Sequence, residues 1–329
     1  MSPRALYVVE HGATLCKRGE QLLVEKDDAV LLEVELANLA SIVLLDSVQV
    51  TSQALSAALR AGVSFAFVSS TGELLGQLVP PISRNAVLRL AQFNKDSDPE
   101  FCFLQGKTIL AAKIENQRQV LLRHTLDYPG PQDQVEPAVA TLQSCCRRIH
   151  AAADLHQLLG IEGEAAAAYW QAFPHLLTAE GITFPGRRKR PPPDPVNAVL
   201  SFGYTLLTTR LVSALQARGF DPWVGFLHME TYGHPSLALD LLELFRAPVV
   251  DRLAIRLFNL GILKPSHFHP AEEGGVRMTE EGLRNFFRHW EQALTKLDLQ
   301  RVLQSQVDQL ARVYLGQEEQ IKPWLWSAR

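Results

Sequence analysis

The sequence predicts an α+β protein, a small β-strand-rich N-terminal domain over residues 1–82 followed by a larger all-helical C-terminal domain over residues 83–329. Three observations carry this. A length of 329 residues suits about two domains. Short alternating or fully apolar runs, punctuated by Gly12, Gly19 and Asp27-Asp28, fill the first 80 residues. Beyond them the apolar period switches from two to 3.6. With 47% hydrophobic and 20% charged residues the chain has ample material for a core, which excludes a disordered protein.

In order, the runs at 6–9, 21–24, 30–34 and 41–45 read as strands. Ser52 is placed to cap a helix over 53–60, with Ala54, Leu55, Ala58 and Leu59 on one face and Gly62 at its stop. Strands resume at 63–68 and 74–79. Helices follow over 85–93, over 99–126 with Pro99 at its start, over 135–159 and over 162–173. Residues 181–195 interrupt them: Arg187-Arg188-Lys189-Arg190, bounded by Gly186 and Pro191-Pro192-Pro193, make a basic, proline-stiffened loop. Helical spacing returns at 194–218, 236–246, about 250–259, and from 279 towards the C-terminus.

The net charge of −3 excludes an indiscriminate polycation. The total hides an asymmetry. Residues 1–80 hold five basic and nine acidic side chains, and the remainder holds 27 and 26. Four cysteines, two of them adjacent, suit neither a disulfide scaffold nor a zinc knuckle, so a reducing cytoplasmic location is expected. Glu10 interrupts the N-terminal apolar run and no 18-residue apolar stretch follows, so no signal peptide and no membrane association are expected.

Polar residues at apolar positions mark the candidate site. In 236–246, Leu237, Leu241, Leu244 and Phe245 form a core stripe at i, i+4, i+7 and i+8, while Asp240 and Glu243 are neighbours on another face flanked by Leu239 and Leu242. Two carboxylates in a partly apolar setting repel each other and resist desolvation, which a bound cation relieves. His228 closes the run Gly225-Phe226-Leu227 just upstream, and imidazole with carboxylates suits Mn²⁺, Mg²⁺ or Zn²⁺ better than Ca²⁺. A core histidine and a solvated acidic face are the competing reading. Glu162 lies in Gly160-Ile161-Glu162-Gly163 before the small-residue run Ala165–Ala168, read either as a site residue or as an acidic first-turn residue favoured by the helix dipole. Asn197, Ser201 and Tyr204 form a polar stripe that either faces solvent or lines a site.

Together these segments resemble the CRISPR-associated integrase–endonuclease family that inserts new spacers into CRISPR arrays. The strings are Gly160-Ile161-Glu162-Gly163, Pro192-Pro193-Asp194-Pro195-Val196-Asn197-Ala198 running into Ser201-Phe202-Gly203-Tyr204, Gly225-Phe226-Leu227-His228, and Pro235-Ser236-Leu237-Ala238-Leu239-Asp240-Leu241-Leu242-Glu243-Leu244-Phe245-Arg246. Lys113, Asn116, Gln117 and residues 275–282 add to them. The resemblance implies an N-terminal dimerisation domain and a helical domain with a divalent-metal site. Glu162, His228 and Glu243 are the implied ligands of Mg²⁺ or Mn²⁺, and Asp240 is a further catalytic acid beside the metal. The family often has aspartate where Glu243 stands. The resemblance also implies a homodimer, a small ferredoxin-like partner dimer bridging two such dimers, and action on double-stranded and branched DNA.

Such an enzyme joins DNA by 3′-hydroxyl attack on a phosphodiester, and with water as nucleophile the same site is an endonuclease. Three carboxylates and a neutral histidine carry more negative charge than one divalent ion offsets, so a site strained without metal is expected. Arg187, Arg188, Lys189, Arg190, Arg246 and Arg252 are candidates for phosphate, Tyr204 for positioning a strand, and Asn197 and Ser201 for lining the site. The alternatives are a catalytically degenerate DNA-binding assembly subunit and a metal-dependent hydrolase of other phosphodiesters. Two further signals are set aside. Gln105-Gly106-Lys107-Thr108 lacks the leading glycine of a phosphate loop, and His267-Phe268-His269 has H-x-H spacing outside any barrel.

Overall fold

The computed structural model describes residues 4–45, 47–69, 72–80, 85–127, 132–188, 191–227, 234–271 and 274–327. His228, Lys189 and Arg190 therefore lie outside the described residues.

The N-terminal strands form two four-stranded sheets. One has the order β1 (Arg4–Val8), β5 (Leu39–Leu45), β7 (Ser64–Val68), β8 (Leu74–Leu78), with the first two pairings parallel and β7–β8 antiparallel. The other has the order β4 (Ala29–Glu35), β3 (Gln21–Lys26), β2 (Thr14–Arg18), β6 (Gln49–Val50). Parallel neighbours need a crossover, and α1 (Ser52–Arg60) supplies it between β5 and β7. Its cap is Thr51, whose hydroxyl accepts from Ala54 N at 3.3 Å, not Ser52 as expected. Strands β2 and β6 were not expected either. Cys16-Lys17-Arg18 breaks the apolar pattern, because only Leu15 of that strand is fully buried.

The rest is largely helical: α2 (Ala86–Asp96), α3 (Pro99–Asp127), α4 (Gln132–Ala151), α5 (Leu155–Ala172), α6 (Pro195–Arg218), α7 (Ser236–Leu242), α8 (Arg252–Asn259), α9 (Glu280–Lys296) and α10 (Leu299–Tyr314). It is not all helix. A hairpin of β9 (Phe268–Pro270) and β10 (Val276–Met278) interrupts it, since Gly274 and Gly275 at positive φ turn the chain. The core centres on α6, which packs against α7, α8, α10, β8 and β10. Alone it is long and apolar enough to cross a membrane, but 72% of its most apolar stretch is buried within the protein, as in a core helix.

Two helix boundaries differ from expectation in ways that matter for the site. The break before α5 falls at 152–154, where Asp154 accepts from Gln157 N at 2.8 Å, instead of at Gly160. Glu162 is thus two turns inside a helix, and the first-turn reading of it fails. Helix α7 stops at Leu242. Leu244 N and Phe245 N then bond back to Leu241 O and Leu242 O, and the chain widens into a π-type turn over Arg246–Asp251 before α8. Glu243 therefore sits on a tightened turn and not in mid-helix.

Candidate metal centre and its basic rim

Helices α3, α5 and the turn after α7 meet at one charged cluster. The Lys113 ammonium, from α3, lies 2.6 Å from Glu162 Oε1 and 2.8 Å from Glu243 Oε2. Arg246 Nη1 meets the other Glu243 oxygen at 2.7 Å. Glu243 is almost wholly buried, with 3% of its side chain exposed, whereas Glu162 keeps 23% and forms the open side. Burial disfavours the Lys113 ammonium, but Glu243 and then Glu162 outweigh it and hold its pKa above the ordinary lysine value. Two acids and two bases balance. The strain expected of this site without metal is offset by the chain's own cations.

The turn is fixed from below. Ending α7 at Leu242 frees carbonyls that must find donors. Asn116, fully buried on α3, donates to Leu244 O at 2.8 Å and to Trp324 O at 3.1 Å, while its own oxygen accepts from Trp326 N at 2.8 Å. Its amide thus ties α3, the Glu243 turn and the C-terminal segment together.

Asp240 lies one helical turn before Glu243, and one of its oxygens holds backbone. Its Oδ2 accepts from Phe226 N at 2.8 Å and Leu227 N at 3.1 Å, holding the segment that runs straight into His228. Gln92, buried on α2, clamps the same segment by donating to Asp221 O and Val224 O, both at 2.8 Å. Gly225 is the residue that allows this approach. A Cβ there would stand 2.6 Å from Asp240 Oδ2 and 2.7 Å from Leu237 N.

Behind Arg246 lies a second carboxylate centre. Asp251, buried at the end of the π-type turn, accepts from Tyr204 Oη and, at 2.9 Å, from Tyr169 Oη. Burial raises its pKa to about 6 against the opposing pull of the two hydroxyls and of Arg246. The Tyr204 ring carries Arg246 4.5 Å and Arg187 5.4 Å from its centre. Arg187 donates onward to Asn197 Oδ1 at 2.8 Å and Ser201 Oγ at 3.1 Å, and Arg188 N also donates to Asn197 Oδ1. Gly203 lets α6 come this close, since a Cβ there would meet Val250 Cγ1 at 2.6 Å.

The candidate residues therefore divide. Glu162, Glu243 and Arg246 come together. Tyr204 is buried with its hydroxyl on Asp251. Asn197 and Ser201 hold the basic loop through Arg187, and Arg188 stays exposed. Arg252 stacks 4.6 Å over Trp326. Among the described residues, no three His, Cys, Asp or Glu side chains gather closely enough to hold a metal by themselves. The donor chemistry nonetheless fits a divalent cation, because two carboxylates converge on a single positive charge. Sequence reasoning missed Lys113 as a site residue, and Asp251 and Tyr169 altogether. The available signal was charge at helical spacing in apolar runs: Lys113 between Ala112 and Ile114, and Asp251 after Val249-Val250.

Comparisons with known proteins point to one family. The family described as "CRISPR associated protein Cas1" matches residues 6–292. CRISPR-associated endonuclease Cas1 2 of Rhodospirillum rubrum is 35% identical, covering 98% of both chains. CRISPR-associated endonuclease Cas1 1 of Chlorobaculum tepidum is 33% identical, again over 98% of both. Among solved structures, a chain of a Cas6-RT-Cas1–Cas2 complex superposes with a TM-score of 0.84 at 26% identity, over 99% of this chain and 36% of that one. The chain belongs to the CRISPR-associated protein Cas1 family.

Proposed function

We propose that this chain is a divalent-metal-dependent DNA endonuclease and integrase of CRISPR spacer acquisition. The observation that carries the reading is the convergence of Glu162 and Glu243, far apart in sequence, on one cation position 2.6 and 2.8 Å away. With His228, those carboxylates would hold Mg²⁺ or Mn²⁺. The bound ion would polarise a phosphoryl oxygen and stabilise the leaving 3′-oxygen. The chain's own residues do the rest. Asn116 fixes the turn that presents Glu243, and Asp240 orders the segment ahead of His228. Arg246 and Arg187, stacked on Tyr204 and backed by Asp251, put fixed positive charge behind the carboxylates, where a phosphodiester would approach. The loop 187–190 would extend that charge along the duplex.

For assembly we propose a homodimer through the N-terminal sheets, joined by a small ferredoxin-like partner dimer on DNA. Edge strand β4 supports the first part, with Val30, Leu31 and Leu32 at 46–51% exposure on a sheet edge. The solved complex named for both Cas1 and Cas2 supports a protein partner for the second. Nicking and strand transfer on branched DNA test the function. Activity with Mn²⁺ that EDTA removes is expected, and activity that persists in EDTA would refute metal dependence. A degenerate subunit would bind the DNA and leave it intact, and a small-phosphodiester hydrolase would ignore branched DNA as a competitor.

A further inference from the structure

We propose that Lys113 is the resident counter-cation of the Glu162–Glu243 pair, and that a divalent ion enters the site by displacing its ammonium. The inference rests on the metal reading above and goes one step further. Lys113 Nζ contacts both carboxylates, at 2.6 and 2.8 Å, which is where an ion shared by them would sit. Charge bookkeeping makes coexistence unfavourable. Glu162, Glu243, Lys113 and Arg246 sum to zero, so a divalent ion added to the intact set leaves two uncompensated positive charges in a largely buried site.

The two cations are unequally placed to yield. Arg246 is held from a second side by the Tyr204 ring, itself anchored on Asp251. Among the described residues no comparable clamp holds the Lys113 ammonium apart from the two carboxylates, and it rides on a flexible four-carbon stem. Glu162 supplies the open side toward which it can swing. Once displaced, the ammonium stays beside the site and is free to meet a phosphate oxygen. Loading the ion would then also release a phosphate-binding group, and an empty site would keep that group withdrawn.

The test is Mn²⁺ binding by calorimetry, and by the spin-resonance signal of free Mn²⁺, in full-length wild-type protein, Lys113→Met and Lys113→Arg. Removing the competitor should tighten Mn²⁺ binding at least about tenfold in Lys113→Met, while Lys113→Arg, which keeps the charge, should show no tightening. The melting temperature of Lys113→Met should fall without metal and rise further than wild type on adding Mn²⁺. Unchanged or weaker Mn²⁺ binding by folded Lys113→Met would overturn the proposal. A measurement on wild type alone covers the case in which that variant does not fold. Reductive methylation read by peptide mass spectrometry should leave Lys113 protected in EDTA and reactive in Mn²⁺, and equal labelling in both would overturn the exchange. The underlying metal reading fails separately, if wild type shows no Mn²⁺ binding that Glu162→Gln and Glu243→Gln remove.

Discussion

Two carboxylate centres lie side by side in this protein and solve the same problem in opposite ways. At Glu243 a buried acid is neutralised by two charged side chains, the loosely held Lys113 and the clamped Arg246, and one side is left open at Glu162. At Asp251 a fully enclosed acid is satisfied by two tyrosine hydroxyls on rigid helices, with no exposed member. The difference teaches how to tell a working site from its support. A carboxylate balanced by mobile charge can exchange that charge for an ion, whereas one held by neutral hydroxyls can only brace what stacks against it. Asp251 braces Tyr204, Tyr204 braces Arg246, and Arg246 braces Glu243.

The contrast can be broken by substitution, beginning where the effect is largest. Glu243→Ala should lower Mn²⁺-dependent DNA cleavage by more than the 10–100-fold typical of supporting residues around a metal. Its melting temperature should change less than that of Asp251→Ala. Asp251→Ala strands two hydroxyls and removes the buried negative charge facing Arg246 and Arg187, so urea unfolding should show a loss of about 3–5 kcal/mol. Reversed rankings, with Glu243 governing stability and Asp251 governing only cleavage, would erase the distinction.

The pH dependence sharpens it. Asp251 titrates near pH 6 in the folded protein, above the ordinary aspartate value, so its ionised form is disfavoured by folding. Between about pH 4 and pH 6 the native state holds the proton that the unfolded state has lost, and stability from this group falls as pH rises through that window. Asp251→Asn has no such titration. The wild-type advantage over that variant should therefore be larger at pH 4 than at pH 7, by up to about 3 kcal/mol, as measured by urea unfolding. An advantage that grew towards pH 7 would mean that the carboxylate is stabilised, not strained, by its surroundings.

Smaller effects are expected further out. Asp240→Asn weakens the hold on Phe226 N and Leu227 N, so unfolding should lose about 1–3 kcal/mol. Its Mn²⁺ affinity should fall by no more than the 10–100-fold of a supporting residue. Arg188→Ala, on the exposed rim, should leave cleavage chemistry intact and reduce the salt dependence of DNA binding by about one unit of slope.

Much of this was legible in the sequence because it follows from periodicity. The switch from strands to helices near residue 80, the start of α6 at 194–195 and the burial of Leu237, Leu241, Leu244 and Phe245 obey local rules, and they stand where those rules put them. Glu243 stood out as an acid among apolar neighbours, whereas Glu162 was singled out by the family resemblance and not by its local setting. What local rules did not reveal depends on tertiary contacts. Lys113 reads as an ordinary helix lysine until α5 and the α7 turn bring acids to it. Asp240 reads as a twin of Glu243, yet its oxygen is committed to the amides ahead of His228. The break at 152–154 was missed because Gly160 is a louder signal than Asp154, although a glycine with open space around it is tolerated within a helix.

The most direct measurement is disintegration of a branched DNA substrate by wild type, Glu162→Gln and Glu243→Gln, each with Mn²⁺ and each with EDTA. Resolution of the branch by wild type in Mn²⁺ alone, with both variants folded and inactive, is the expected result. Metal-dependent resolution by either folded variant at the wild-type rate would contradict the assignment of these two carboxylates as the catalytic pair.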